Sequence, residues 1–535
     1  MFRRLRVPSG SPPVTGAPVL PLPLPRPRPR PRPCARLRFR PRHSASALRG
    51  ERHGRWLWPA ALAFVLGAYR IGTPQLWRDE LATWSAATRS TGELLDLLHR
   101  VDAVSGAYYL ALHYWIAVFG DSPTSLRAPG LLAMTATAAL VALGAGKLFG
   151  APAALPAGLL FAALPSVSRY AQEARGYAFA VLAVAAATWL LLRALEEPGP
   201  VRPRWWCGYA VCVLLAGAFH LVAVSALAGH AAVVAIRLRG RPWRHVLPGY
   251  GLACAGAAAA LLPLVLAGQR QAGRQISWIG APPVSGLVKV LPSLFGSGAL
   301  AVGLLAVAAP ACVRRASRAA ALQAVLLAVL PLLAVWVLSQ GSSSYWTGRY
   351  LLFTVPAWAM LAGAGVGVGV GVGVGAPGRR GVRPALLLVL GALALPTQWG
   401  LRAADAHDDY DLKGTAELLA ADYRPGDAIV PPRGGASYLM LDLGMRYYLP
   451  RSDRLRDVFV QTDAVRLNDF FALECPVPAD CLGSDPRVWV VTVGESPDPY
   501  ADLSPAQAEA LKSRYTPVRT SHAGGLTLTL LARGQ

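Results

Sequence analysis

The chain has 535 residues, 54% of them hydrophobic and 15% charged, with a formal net charge of +24. Soluble domains average roughly 45–50% apolar and about 25% charged residues, so this composition argues against a disordered chain and points to lipid. The basic excess alone would suggest a nucleic-acid binder, but in so apolar a chain it is first tested as a sorting of Lys and Arg between the two sides of a membrane.

From Met1 to Arg55 the sequence is a Pro/Arg tract with 14 Arg and one Glu, including the strict alternation from Pro25 to Pro33. It offers almost nothing to bury, so a disordered cytoplasmic tail, partly polyproline II, is expected. Aromatic stacking residues are nearly absent from it, which argues against nucleic acid. It is also too long and Pro-rich for the n-region of a cleaved signal peptide.

Apolar stretches then recur that are long enough for about 30 Å of hydrocarbon, which takes about 20 helical residues. Crossings are expected near 56–71, 125–145, 151–167, 174–192, 205–219, 221–236, 246–267, 285–309, 319–338, 350–375 and 384–399, about eleven in all. The expected fold class is a polytopic α-helical integral membrane protein. With the N-terminus inside, the inner short loops hold 14 Lys and Arg and the outer ones five, namely Arg169, Arg175, Arg270, Arg274 and Arg349. This bias predicts a cytoplasmic N-terminus and a multi-pass protein of the plasma membrane. Tail and inner loops together carry the whole basic excess, so nucleic acid is not an expected partner.

Segment 107–119 (AYYLALHYWIAVF) is apolar but short and rich in Tyr and Trp, which favour the membrane–water interface. It is expected to lie flat on the outer surface, with the amphipathic stretch 93–98, in one long first outer loop over 72–124. The Gly/Val alternation from Gly365 to Gly375 reads as a repeat-expanded stretch without chemistry, although its GxxxG spacings also suit a close helix–helix contact. From residue 401 onward the composition is that of a soluble domain, and an odd number of crossings puts it outside. A helix over 412–422, strands over 428–430, 487–493 and 526–531, and a helix over 505–514 predict a small extracytoplasmic α/β domain. Cys475 and Cys481 share an outer loop where a disulfide can persist, and their spacing resembles no zinc site. Three parts result: the tail 1–55, the membrane domain 56–400 and the outer domain 401–535.

The spans are nearly free of ionisable groups, so the outer-side charges are the candidates for chemistry. Asp79 and Glu80 follow directly after the first span, flanked by Trp77 and apolar residues. A carboxylate there can act as a general base on an acceptor hydroxyl or position a cation, and adjacent carboxylates can raise one pKa; the alternative is a solvated acidic dipeptide paired with Arg78. Glu173 and Arg175, in the turn between the third and fourth spans, could meet the Asp79 loop or, with the neighbouring Tyr residues, anchor at the interface. Arg349 and Arg127 each sit at the mouth of a span, where a planar guanidinium suits a phosphate and snorkelling is the alternative. His113 and His220 lack partners at metal-ligand spacing, and no Walker, HExxH or GxSxG motif stands in a credible context.

The combination resembles the GT-C glycosyltransferases, in particular the bacterial branch related to protein O-mannosyltransferases and lipid A aminoarabinose transferases. The matching features are a first outer loop opening on Asp79-Glu80, Tyr108-Tyr109-Leu110 followed by Phe119-Gly120-Asp121-Ser122 and Arg127, then Gln172-Glu173-Ala174-Arg175-Gly176-Tyr177, and the late Arg349-Tyr350-Leu351-Leu352. The resemblance covers roughly 56–399. It implies transfer of a sugar, mannose being the one expected, from a polyprenyl-phosphate-linked donor to a protein, lipid or glycan acceptor on the outer face, with inversion at the anomeric carbon. It further implies Asp79 as catalytic base with Glu80 beside it, and Arg127, Glu173, Arg175, Arg349, Tyr108 and Tyr109 as substrate-binding residues. A divalent cation stays open as a cofactor, and the donor is a substrate rather than a resident group. Many relatives carry His-Pro-Pro or similar just before the Tyr-Tyr segment where this chain has Val104-Ser105-Gly106-Ala107, a departure that leaves open the acceptor side or the local positioning. Two other classes would also fit a polytopic chain: a transporter or flippase of a lipid-linked intermediate, which should show polar residues midway through several spans, and a non-catalytic cell-envelope scaffold.

Overall fold

The computed structural model describes residues 10, 11, 16, 45–196, 201–239, 242–369, 382–407, 410–450, 452 and 455–534. The chain divides into two units, Met1–Leu48 and Arg49–Gln535, and the second carries everything that follows. Most of the Pro/Arg tail lies outside the described residues. The first helix, α1 (Ala45–Ala68), overlaps the last part of this tail.

Helices stand at all eleven places where crossings are expected. After α1 come three short helices of the first long loop: α2 (Arg78–Ala87), α3 (Thr91–Arg100) and α4 (Gly106–Phe119). The membrane region continues with α5 (Pro123–Phe149), α6 (Ala151–Ala163), α7 (Pro165–Ala171), α8 (Tyr177–Ala194), α9 (Pro203–Phe219), α10 (Ala226–Leu238) and α11 (Leu247–Gln275). It ends with α12 (Gly286–Lys289), α13 (Leu291–Phe295), α14 (Gly298–Val313), α15 (Arg315–Leu338), α16 (Val355–Gly369) and α17 (Val382–Gly400). Among the described residues seven helices are long and apolar enough to cross a membrane, or nine if each of two bent pairs is one span. The bends have local causes. Pro165 cannot continue the hydrogen-bond ladder of α6, giving 62° between α6 and α7, and Gly296 at φ 100° turns the chain between α13 and α14 by 97°.

The amphipathic stretch of the first loop forms α3. A capping box between Ser90 and Glu93 opens it, and Leu94 and Leu97 are its buried face. With 14 residues, α4 is about 21 Å long, too short to span, and it packs Tyr108, Tyr109 and Leu112 inward. At the other extreme, the span 348–367 is 94% buried inside the protein, against 17% for α11 and for α17. Its glycines make this burial feasible: a Cβ at Gly363 would lie 2.4 Å from Ala157, at Gly365 1.7 Å from the Val307 carbonyl oxygen, and at Gly367 2.5 Å from that of Pro152. The described part of the Gly/Val stretch is therefore a close helix contact, and the rest lies outside the described residues.

Residues 410–534 form an α/β domain around a five-stranded sheet. Its strands are β1 (Ala428–Val430), β2 (Arg456–Asp457), β5 (Arg487–Val493), β6 (Tyr515–Ala523) and β7 (Leu526–Arg533), in the order β2-β1-β5-β7-β6. β1 is parallel to β2 and β5, whereas β5–β7 and β6–β7 are antiparallel. A second pair, β3 (Val460–Thr462) and β4 (Leu473–Glu474), stands apart. Helices α18 (Leu412–Ala421), α19 (Leu441–Tyr448), α20 (Pro478–Cys481) and α21 (Pro505–Lys512) complete it. The sheet core is Val488, Val490, Leu531 and Tyr515, while Trp489, Val491 and Leu528 pack on its other face with residues of α2, α3 and α4 in one continuous cluster. Cys475 and Cys481 are bridged, with Cα atoms 6.5 Å apart.

Candidate active site

The first turn of α2 carries Arg78, Asp79 and Glu80, and carboxylates there meet the positive end of the helix dipole. Consecutive residues of a helix point about 100° apart, so the two acids face different surroundings. Glu80 turns inward to Arg127 of α5, and both side chains are fully buried. The guanidinium grips the carboxylate with two bonds, Nε to Oε1 at 2.8 Å and Nη2 to Oε2 at 2.6 Å. Its other three N–H groups donate to the carbonyls of Ile71 and Pro74, both at 2.8 Å, and of Gln75 at 3.0 Å. All five donors of an arginine are thereby used. The Ala174 amide also donates to Glu80 Oε1 at 2.8 Å, and His407 Nδ1 lies 3.5 Å from Oε2.

Burial works to raise the Glu80 pKa, but the Arg127 guanidinium, aided by His407, holds the carboxyl well below the usual carboxylate range. Burial also acts first on His407 and pushes it down to about 4, against the pull of Glu80. The expectation of two adjacent acids raising one another is corrected: the strongest charge acting on Glu80 is Arg127. Glu80, a catalytic candidate in the sequence, and Arg127, a substrate-binding one, both lie away from the lining of the cavity described next.

Asp79 faces the other way, into a cavity of about 240 Å³ also lined by Asp102, Arg175, Arg349, Tyr108 and His220. Its Oδ2 accepts from Arg349 Nη1 at 3.1 Å, and both side chains retain some exposure. The Arg349 guanidinium, in the 3₁₀ turn before α16, is stacked by Trp77, Trp278 and Tyr350 at 5.6, 5.4 and 5.7 Å from the ring centroids. Arg175 is held by a second acidic group. Its Nη1 donates to the Tyr109 hydroxyl at 2.9 Å and lies 3.9 Å from Asp102 Oδ2. Asp102 in turn accepts hydrogen bonds from Tyr109 and, at 2.9 Å, from Ser105. Burial raises the Asp102 pKa, with Arg175 opposing. Asp102 sits in the left-handed region at φ 56°, a conformation Asp tolerates better than most residues.

Tyr108 lines this cavity, and its buried hydroxyl has no partner among the described residues. It also lines a second, apolar cavity of about 390 Å³ with Leu112, Trp115, Pro129, Leu132 and Phe179. Tyr109, expected to touch substrate, is instead fully buried and orients Asp102 and Arg175. Glu173, also expected to bind substrate, is 1% exposed and does not line the cavity; no hydrogen-bond donor among the described residues reaches its oxygens, and Arg169 Nε is 3.6 Å away. Burial raises its pKa to about 7, with Arg169 opposing.

The cavity also takes in residues that the sequence reading passed over. Asp102 is an acid two residues after Arg100, just ahead of the interfacial segment 107–119. His220 packs edge-on between Tyr177 and Tyr350 at 5.4 and 4.6 Å. Burial first, then Arg175 and Arg349, pushes its pKa down to about 3, so the ring is neutral. Met440, Phe470 and Phe471 come from the C-terminal domain, a contribution that no local pattern announces. No group of three or more His, Cys, Asp and Glu side chains suited to a metal ion comes together among the described residues. The two carboxylates lining the cavity each face a guanidinium instead, an arrangement suited to anionic oxygens rather than to a cation.

Residues 105–266 match the family model described as dolichyl-phosphate-mannose-protein mannosyltransferase. Among solved structures, the chain is similar to ArnT from Cupriavidus metallidurans bound to undecaprenyl phosphate. That match has 14% identity and a TM-score of 0.59, over 88% of this chain and 97% of ArnT. The apo form of the same ArnT matches at 16% identity and TM-score 0.57, over 90% and 98%. The arabinofuranosyltransferase AftD from Mycobacteria matches at 18% identity and TM-score 0.50, over 90% of this chain and 40% of AftD. No curated protein sequence matches the chain. At these identities the structural likenesses speak to the fold, which is that of the GT-C glycosyltransferases related to ArnT.

Proposed function

Taking that GT-C fold as premise, we propose that the chain is a membrane glycosyltransferase that moves a sugar, mannose being the one expected, from a polyprenyl-phosphate-linked donor to an acceptor hydroxyl. The reaction is assigned to the outer face, with the N-terminus cytoplasmic and the C-terminal domain extracytoplasmic, in keeping with the excess of Lys and Arg in the opposite loops. The observation that carries the reading is the Asp79–Arg349 pair at 3.1 Å, in a charged cavity that shares Tyr108 with an apolar one. A donor with a charged head and a hydrocarbon tail needs such a juxtaposition.

In the mechanism, the Asp79 carboxylate takes the proton from the acceptor hydroxyl as its oxygen attacks the anomeric carbon. The bond from that carbon to the phosphate oxygen breaks on the opposite face, giving inversion, and the electron pair leaves with the phosphate. Arg349 and Arg175 stabilise the departing charge, and stabilising charge that develops in the transition state is the larger part of such catalysis. Tyr109 and Asp102 position Arg175; Glu80 and Arg127 position the loop that presents Asp79. The test is Asp79→Asn in purified full-length protein with a polyprenyl-phosphate sugar. Transfer should fall by at least about a hundredfold with the melting temperature unchanged. Transfer at the wild-type rate would overturn the assignment.

A further inference from the structure

The C-terminal domain reaches the cavity through the loop 463–471, and three arginines of the membrane region fix that loop in place. Arg274, at the end of α11, pairs with Asp469 at 2.8 Å. Arg89, after α2, donates to the Asp469 carbonyl, and Arg100, at the end of α3, donates to that of Leu467 at 3.1 Å. Between them Asn468 takes φ 53°, a left-handed turn that sends Phe470 into the core at 5% exposure. The next residue, Phe471, lines the cavity yet stays 38% exposed. A second aromatic at the same cavity, Trp278, comes from the segment after α11 and is 60% exposed. Its orientation is set: the indole N–H donates to the Gln275 carbonyl at 2.9 Å, and the Arg349 guanidinium lies over the ring.

Two exposed aromatic rings held by hydrogen bonds and ion pairs, with the Arg274–Asp469 pair beside them, make a specific kind of surface. The negative face of an aromatic ring attracts the polarised C–H groups on one side of a sugar ring, and the polar pair can meet hydroxyls at its edge. An acyl chain would meet the Arg274–Asp469 charges here. We infer that the Trp278–Phe471 mouth is the acceptor subsite and that its acceptor is a saccharide, so the C-terminal domain takes part in choosing the substrate. The inference rests on the transferase reading, but its test reads binding without donor and so does not depend on turnover.

Full-length protein in lipid nanodiscs is titrated with methyl α-mannopyranoside, methyl α-glucopyranoside, methyl α-arabinofuranoside and a threonine-containing hexapeptide, followed by saturation-transfer NMR. At least one glycoside should bind through its ring protons. Phe471→Ala and Trp278→Ala should each weaken it by about tenfold, while Phe471→Tyr and Trp278→Phe, which keep a ring face, should retain it. Three results would overturn the subsite: no glycoside binding to the wild type, alanine variants that bind as well as it does, or ring-dependent binding of the peptide in place of the glycosides. Donor cleavage by the wild type, measured separately as release of polyprenyl phosphate, reports on the transferase reading alone. If cleavage is absent while ring-dependent glycoside binding persists, the saccharide site stands without that reading.

Discussion

Asp79 and Glu80 are neighbours in the chain, and each meets an arginine, yet the two ion pairs have opposite characters. Glu80–Arg127 is dry and complete, with every guanidinium N–H donated and the carboxylate also accepting a backbone amide. Asp79–Arg349 is single-bonded, partly exposed and faces a cavity, and Arg349 Nε has no hydrogen-bond partner among the described residues. A saturated pair has no bond left for a substrate, whereas an unsaturated one can exchange its bond for a ligand at little cost. The difference separates a fastening from a working group more sharply than charge or adjacency does.

The comparison can be broken most severely from the buried side. Glu80→Gln or Arg127→Met leaves one buried charge alone, and such a loss costs about 3–5 kcal/mol; the melting temperature in detergent should drop steeply, and Asp79→Asn should leave it unmoved. On the open side, Arg349→Gln should slow transfer by about a hundredfold with a small change in melting, read as kcat with saturating donor. A smaller effect is expected from Glu173. Its folded pKa of about 7 exceeds the ordinary 4.5 because of burial, so between those values the folded state holds a proton that the unfolded state has lost. Stability should therefore fall as pH rises from about 4.5 to 7, by at most about 1.4 kcal/mol per unit, and Glu173→Gln should flatten that slope in melts taken across the window. Least of all, Asp469→Asn removes an ion pair whose Arg274 side chain is 56% exposed. Less than about 1 kcal/mol of stability should be lost, with any change showing in acceptor KM ahead of melting temperature.

Much of the fold was legible because membrane spans announce themselves by composition: up to nine of the eleven expected crossings coincide with helices long and apolar enough to span among the described residues. Strands with a buried alternation or run, such as Arg487–Val493, were legible too. Strand β6 was not: its residues from Thr516 to Thr520 are all exposed and include Pro517, so no period-2 signal marks it. At the site, Asp79, Arg175 and Arg349 stood out as charges at the ends of apolar segments. What the sequence could not tell was which way each would face. Glu80, Tyr109, Arg127 and Glu173 carry the same local signature as their neighbours, and only tertiary packing turns them inward. Phe471 and Met440 lie more than 350 residues from Asp79 in the chain, so their place at the cavity depends on domain docking.

The glycine contacts of α16 bear on which changes in length this stretch of chain can accept. Glycine stands at every odd position from Gly363 to Gly375. At Gly365 and Gly367 the helix touches neighbouring backbone so closely that a methyl group would collide. Because the run repeats itself, adding or removing a Gly-Val unit within it returns Gly to both positions. The monotony of the run thus keeps glycine at the tightest helix contact when its length changes by one unit.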